Sequence, residues 1–388
     1  MSFKDYSFKN LKQYSENILT DAIMYNQIPI SSESTDSQKE FIINRLNEYE
    51  VPKIERDEAG NIFVEYFQSK NLAKDTILIL TPIKYKKISR HERFVRLDSS
   101  KAYGKGLIEN SLKVSVILNL INYLFNENHN LNYNITFLFT DISDIEQNFR
   151  SLNYYLENTD SNILFAIDID STSLGDIGSK SLGKYRYKIK VKTEQIDLIN
   201  ICEAPNKLSA MDILTEIGAR LKIIGWPEES CTFINIIDIS SDSKEEVISD
   251  EGVMKIELLS RKSQYLEYEN QILNSTVKKL SRELNTDIDL ELIGYSPANY
   301  IMEKSPLIDI ILEVHEELDI KSKFRVIRDE AAVLLQTDIP TVSLGITNGK
   351  LTVNEEYIEK EPITKGIIQL FLIIEKGANY FKKKEEDD

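Results

Sequence analysis

An α/β sandwich interrupted by a smaller α+β domain is the architecture this sequence predicts, on three observations. Short apolar runs such as Ile77-Leu78-Ile79-Leu80 alternate with amphipathic helical stretches, the pattern of a largely parallel sheet buried on both faces. After Gly183 the strands change texture: Tyr185, Tyr187, Ile189 and Val191 alternate with charged residues, which gives each strand one solvated face. After Pro297 the first pattern returns. The expected boundaries are 1–182 and 296–388 for a discontinuous α/β domain and 183–295 for the insert.

The elements follow in order. Leu11, Tyr14, Ile18 and Ala22 recur at helical spacing, and a second helix from about Ser37 carries Phe41, Ile42 and Leu46 on one side. The Pro- and Ser-bearing turn Ile28-Pro29-Ile30-Ser31-Ser32 separates them. Strands are expected at Asn61–Phe67, Thr76–Thr81, Ile135–Thr140 and Leu164–Asp168, with an amphipathic helix marked by Leu112, Val116, Leu120 and Leu124. In the insert, the strand at Tyr185–Val191 is followed by a helix at Leu208–Ile224, strands at Thr232–Ile239 and Val253–Leu259, and a charged helix at Ser263–Leu284. That is a β-α-β-β-α-β order, with a further strand near Ile288–Ile293, and it suits a ferredoxin-like insert. A helix at Pro306–Leu318, strands at Phe324–Ile327 and Thr341–Leu344, and a last helix from Ile363 complete the chain, ahead of a solvated FKKKEEDD tail.

Composition excludes several classes. A hydrophobic content of 41% and a charged content of 28% over 388 residues are those of an ordinary globular protein with room for two domains. A net charge of −16 argues against nucleic acid or an anionic membrane surface as partner. The two cysteines, Cys202 and Cys231, form no disulfide framework. The apolar stretch Ile367–Ile374 is too short to span a bilayer and contains Gln369. The N-terminal MSFKDYSFKN has no apolar signal core, so a cytoplasmic protein is expected.

Five stretches carry a family resemblance: TILILTPIK (76–84), AYGKGLIENS (102–111), NITFLFTDISDIE (134–146), ILFAIDIDS (163–171) and IPTVSLGITNGKLTVNEEY (339–357). In this order they resemble the dinuclear zinc exopeptidases and amidohydrolases, the family of peptidase T, carboxypeptidase G, aminoacylase and succinyl-diaminopimelate desuccinylase. The resemblance covers nearly the whole chain. It implies a zinc-exopeptidase-like three-layer α/β sandwich with an inserted ferredoxin-like lid or dimerisation domain. It also implies two zinc ions held by an H-x-D, a G-R-G-x-x-D, a Glu-Glu pair, a further Asp and a late His. A carboxylate bridges the metals, and a glutamate that is not a ligand serves as general base.

The frame of these motifs is present and most of the ligands are not. Pro82 matches the first His and has no donor atom, and Lys84 matches the Asp that orients it. Glu109 in GKGLIE matches the bridging Asp, with one methylene more. Ser143 stands at the general-base position and Asp144 at the neighbouring ligand; Asp170 is retained, and Leu351 matches the late His. Glu109, Asp144 and Asp170 without an imidazole make a poor zinc site. Two readings of them stay open: they hold a harder cation such as Mg²⁺ or Ca²⁺ weakly, or they pair with a lysine, Lys84 being the candidate. The chain has three histidines, His91, His129 and His315; none lies in a motif, and all three read as surface residues. No histidine occurs from Lys184 to Tyr300, and Glu246 stands where the family's lid motif has Asn. Ser260-Arg261-Lys262-Ser263 resembles the family's R-S, whose Arg grips a substrate carboxylate; a strand-end surface arginine is the alternative. Asp329, in RDEAA, resembles the family's G-T-D-A turn and is equally explained as a helix cap. Gly104 and Gly106 suit a tight turn, and the Walker pattern of a phosphate loop is absent.

Three functions fit. The first is a non-catalytic homologue, a pseudoenzyme with no cofactor whose cleft binds a peptide-like or carboxylate ligand through Lys84 and Arg261. The second is an active hydrolase with an altered, carboxylate-rich metal site. The third is a structural partner that forms a homodimer through the inserted domain.

Overall fold

The structure is a computed structural model that describes residues 9–29, 35–67, 75–83, 94–126, 131, 133–141, 146, 149–194, 196–197, 207–241, 247–296, 298–301, 305–327, 330–352 and 355–387. The chain divides into two compact units: Met1–Ser143, Phe149–Lys180 and Tyr300–Asp388 form one, and Asp144–Asn148 with Ser181–Asn299 form the other.

The first unit is built on a mixed sheet. Its strands run in the order Glu55–Arg56, Ile62–Tyr66, Asn134–Thr140, Asp75–Pro82, Asn162–Thr172, Thr341–Thr347 and Asp176–Ser181, and Lys323–Ile327 also pairs with the last of these. The four central strands are parallel, and the pairings on either side of them are antiparallel. Every residue of Asn134–Thr140 and all but the first of Asp75–Pro82 are buried, as continuous apolar strands of a two-sided parallel sheet should be. On one face Ile77, Ile79, Phe137, Phe139, Ile167, Val342 and Leu344 join the main core with the helices Lys9–Asn26, Leu112–Asn126, Pro306–Glu317 and Pro362–Asp387. The alternate side chains, among them Leu78, Leu80 and Leu138, are also buried but belong to the other face. Polar groups there are paired: Ser343 Oγ donates to Asp168 Oδ2 at 2.9 Å, and Thr140 Oγ1 donates to Glu330 Oε2 at 2.5 Å.

A second, smaller sheet of four short strands, in the order Gly349–Leu351, Glu356–Glu359, Lys101–Tyr103 and Arg96–Leu97, was not anticipated. Its strands are two to four residues long, too short to show a periodicity.

His315 corrects an expectation. It is 1% exposed, not a surface residue, because its side of the helix Pro306–Glu317 packs against the helix Pro362–Asp387. Gln369 Nε2 donates to Gly345 O at 3.2 Å, which turns Gln369 Oε1 toward His315 Nε2 at 2.9 Å; Ser322 Oγ lies 2.7 Å from Nδ1. Both ring nitrogens are thereby satisfied, the condition for burying a neutral imidazole. Burial holds its pKa below the ordinary histidine value, against an opposing effect of the Gln369 hydrogen bond.

The second unit is ferredoxin-like. Strand Gly183–Lys192, helix Ala210–Lys222, strands Phe233–Ser241 and Glu251–Ser260, helix Ser263–Glu283 and strand Ile288–Ser296 follow in sequence. The sheet is antiparallel, ordered Phe233–Ser241, Glu251–Ser260, Gly183–Lys192, Ile288–Ser296. Ile288–Ser296 is the fourth strand of the β-α-β-β-α-β series, not an addition to it. Alternation decides the faces: Tyr185, Tyr187, Ile189 and Val191 enter a separate core with Leu214, Ile217 and Leu273. A capping box between Ser209 and Asp212 starts the first helix.

Candidate functional site

The parallel strands end along one edge of the central sheet. Pro82 is in register with Thr140, and Gly345 with Asp170. Ligands of open α/β sheets bind outside such carboxyl ends, and of the positions matched by motif Pro82 and Asp170 lie at this edge. Pro82, buried, closes its strand without a donor side chain. Asp170 ends up partly solvated, its side chain 46% exposed.

Glu109 lies on a turn that leads into the helix Leu112–Asn126. Strand Lys101–Tyr103 leads through Gly104 to Gly106, which adopts φ +87°, a left-handed conformation that suits glycine. The chain then makes a π-helical turn, Leu107–Ser111, before the helix Leu112–Asn126. Glu356, 6% exposed, fixes this turn: it accepts hydrogen bonds from the backbone N–H of Gly106 at 2.8 Å and of Ile108 at 2.7 Å. A carboxylate on exposed N–H groups at a helix start is favoured by charge and geometry together. Leu351, across from Glu356 in the small sheet, is 44% exposed and offers no ligand atom.

The exit of the strand Asn134–Thr140 is also fixed. Asp141 accepts from Thr35 Oγ1 at 2.5 Å and from Lys39 Nζ at 2.7 Å, and its N–H donates to Asn61 Oδ1 at 3.0 Å. Lys84, Ser143, Asp144, Asp329, Glu246, His91, His129 and Cys202 lie outside the described residues. Arg261 is exposed just before the helix Ser263–Glu283.

Three residues at this edge went unread in the sequence. Lys113 is 3% exposed and its Nζ lies 3.4 Å from Asp170 Oδ1, so an acid that the resemblance matches to a ligand has a lysine beside it; the expected Lys84 lies outside the described residues. Its signal was present: Lys113 is the sole charge in LKVSVILNLINYLFN. Glu330, 0% exposed, and Glu356 gave no comparable signal, because each becomes buried only through a residue far away in sequence.

The donor set does not fit a dinuclear zinc centre. Pro82 and Leu351, which the resemblance matches to two ligands, have no donor atom, and among the described residues no group of three or more His, Cys, Asp or Glu is placed to hold a metal ion. Among the described residues, no helix is long and apolar enough to cross a membrane.

No family model matches this sequence, and no curated protein matches it significantly. Solved structures do. The aminopeptidase PepT from Bacillus cereus aligns over 94% of this chain and 99% of its own, with a TM-score of 0.69 and 14% identity. The di-peptidase Dug1p from Saccharomyces cerevisiae aligns over 96% and 99%, with a TM-score of 0.77 and 11% identity. The Bacillus subtilis YXEP protein, described as a dinuclear metal binding peptidase from the M20 family, aligns over 96% and 99%, with a TM-score of 0.63 and 13% identity. Across both units, this chain has the fold of the M20-type metallopeptidases, the zinc-exopeptidase architecture that its motifs resemble.

Proposed function

We propose that this chain is a non-catalytic homologue of the peptidase T and aminoacylase type of metallopeptidase, which keeps the scaffold and has lost the metals. One observation carries the reading: Pro82 and Leu351, which the motif resemblance matches to two metal ligands, each close a strand, and neither side chain has a donor atom. Ser143 at the general-base position points the same way. Losing a general base alone costs on the order of 10²- to 10⁴-fold in rate. The strand ends of the first unit are proposed to take a small peptide-like or carboxylate ligand, with Lys84 as a cationic contact there. The alternative, a hydrolase that works with a carboxylate-only cation site at Glu109, Asp144 and Asp170, is separated by one experiment. Elemental analysis of the purified protein is expected to find no stoichiometric zinc, and dipeptides and N-acyl amino acids are expected to remain uncleaved. Two equivalents of zinc with turnover abolished by a chelator would overturn the reading.

A further inference from the structure

Resting on the reading just given, we infer that Lys113 is a tethered cation in place of a metal: its buried ammonium occupies the charge role at Asp170 and keeps divalent ions out. The helix Leu112–Asn126 is buried from Leu112 through Leu124 and has this one charged residue in its first turn. An ammonium in such surroundings is unfavourable unless an anion lies beside it. Asp170 Oδ1 supplies that anion at 3.4 Å.

The two partners are unequally placed. The Lys113 side chain is 4% exposed and that of Asp170 46%. Asp170 stays half in solvent without the lysine, whereas Lys113 has no such recourse. The acid thus has beside it a cation that cannot diffuse away. A covalently tethered unit charge also differs from a metal in kind. It has no open coordination position, cannot polarise a bound water as a Lewis acid does, and is not removed by a chelator. Any divalent ion approaching Asp170 meets this fixed positive charge 3.4 Å from the carboxylate. Lys113 lies four residues after Glu109, so the same ammonium is built onto the segment that holds the bridging-ligand position. Loss of the metals and gain of an internal cation are on this account one change, since bare acids at a strand edge need a counter-charge from some source.

The test uses the full-length chain and Mn²⁺ as probe, with binding read by calorimetry and by the paramagnetic signal of free Mn²⁺. Wild type and Lys113→Arg are expected to bind weakly. Lys113→Met, which keeps the apolar stem and removes the charge, is expected to gain about tenfold or more in affinity. Adding Asp170→Asn is expected to abolish the gain. A Lys113→Met affinity within about twofold of wild type, or a gain that survives Asp170→Asn, overturns the proposal. Should Lys113→Met fail to fold, Lys113→Gln and a thermal double-mutant cycle between positions 113 and 170 decide, and absence of coupling overturns it equally. Stoichiometric zinc with chelator-sensitive hydrolysis in wild type overturns the parent reading. Metal-free wild type with no gain in Lys113→Met overturns this inference alone.

Discussion

Glu356→Ala should be among the most damaging single changes in the first unit. The carboxylate is 6% exposed and accepts two backbone hydrogen bonds, from Gly106 and Ile108, at 2.8 and 2.7 Å. Hydrogen bonds to a charged group are worth roughly 1.5–3 kcal/mol each, and an N–H left unpaired in the interior costs about 1–3 kcal/mol. These are two accounts of the same loss and must not be added, so about 3–5 kcal/mol is expected for Glu356→Ala. Glu356→Gln keeps one carbonyl acceptor but turns an NH₂ toward the other N–H, for about 2 kcal/mol. At roughly 2–4 °C per kcal/mol for a unit of this size, the alanine variant should melt about 10 °C lower. The assay is thermal and urea unfolding followed by far-UV circular dichroism. The sole tryptophan, Trp226, lies in the second unit, so its fluorescence follows that unit by itself. A circular dichroism midpoint that moves by less than about 2 °C, or a loss seen only in Trp226 fluorescence, would refute the assignment of Glu356 as the clamp on the Glu109 turn.

Three further outcomes are expected. Asp21, 3% exposed, pairs with Arg45 at 2.8 Å and accepts from Tyr49 Oη and Asn119 Nδ2, each at 2.8 Å; Asp21→Ala should cost about 3–5 kcal/mol in urea unfolding and Asp21→Asn clearly less. His315 is held below its ordinary pKa by burial, so the unfolded chain binds the proton more readily. Its contribution is complete above about pH 6.5 and is lost as pH falls below that value; urea midpoints of wild type should drop between pH 7.5 and 5.5, and those of His315→Gln should drop less. Gly366→Ala would place a methyl 2.0 Å from Ile346 O where the last helix meets the sheet, and should lower stability by about 3 kcal/mol, whereas Gly225→Ala, with open space around it, should be silent in the same melt.

The helices and long strands were legible because each has either a period or a continuous apolar run. The run at Ile77–Leu80 becomes Asp75–Pro82, the alternation from Tyr185 becomes Gly183–Lys192, and the Pro306 helix ends at Glu317, one residue short of expectation. What escaped depends on partners distant in the chain. Glu356 reads as one of several acids in VNEEY until the fold sets it on Gly106, some 250 positions away. His315, flanked by Glu313, Glu316 and Glu317, looked solvated; the local pattern could not show that its side of the helix meets Gln369. Pro82 closes the strand Asp75–Pro82, as its motif frame predicts. The lysine beside Asp170 was not legible, since spacing along a helix does not reveal which strand end its first turn faces.

The strand order of the first unit has a consequence for how the chain is made. Thr341–Thr347 lies between Asn162–Thr172 and Asp176–Ser181, strands that are neighbours in sequence but not in the sheet. From residue 181 to residue 341 the ribosome adds 160 residues, nearly all of the second unit among them. At roughly 5–20 residues per second, that leaves two inner strand edges of a nascent sheet open for about 8–32 s. Open edges of apolar strands are templates for pairing with other chains. Newly made protein should therefore need chaperone cover during that interval, and a version truncated before residue 341 should aggregate even though its second unit is complete.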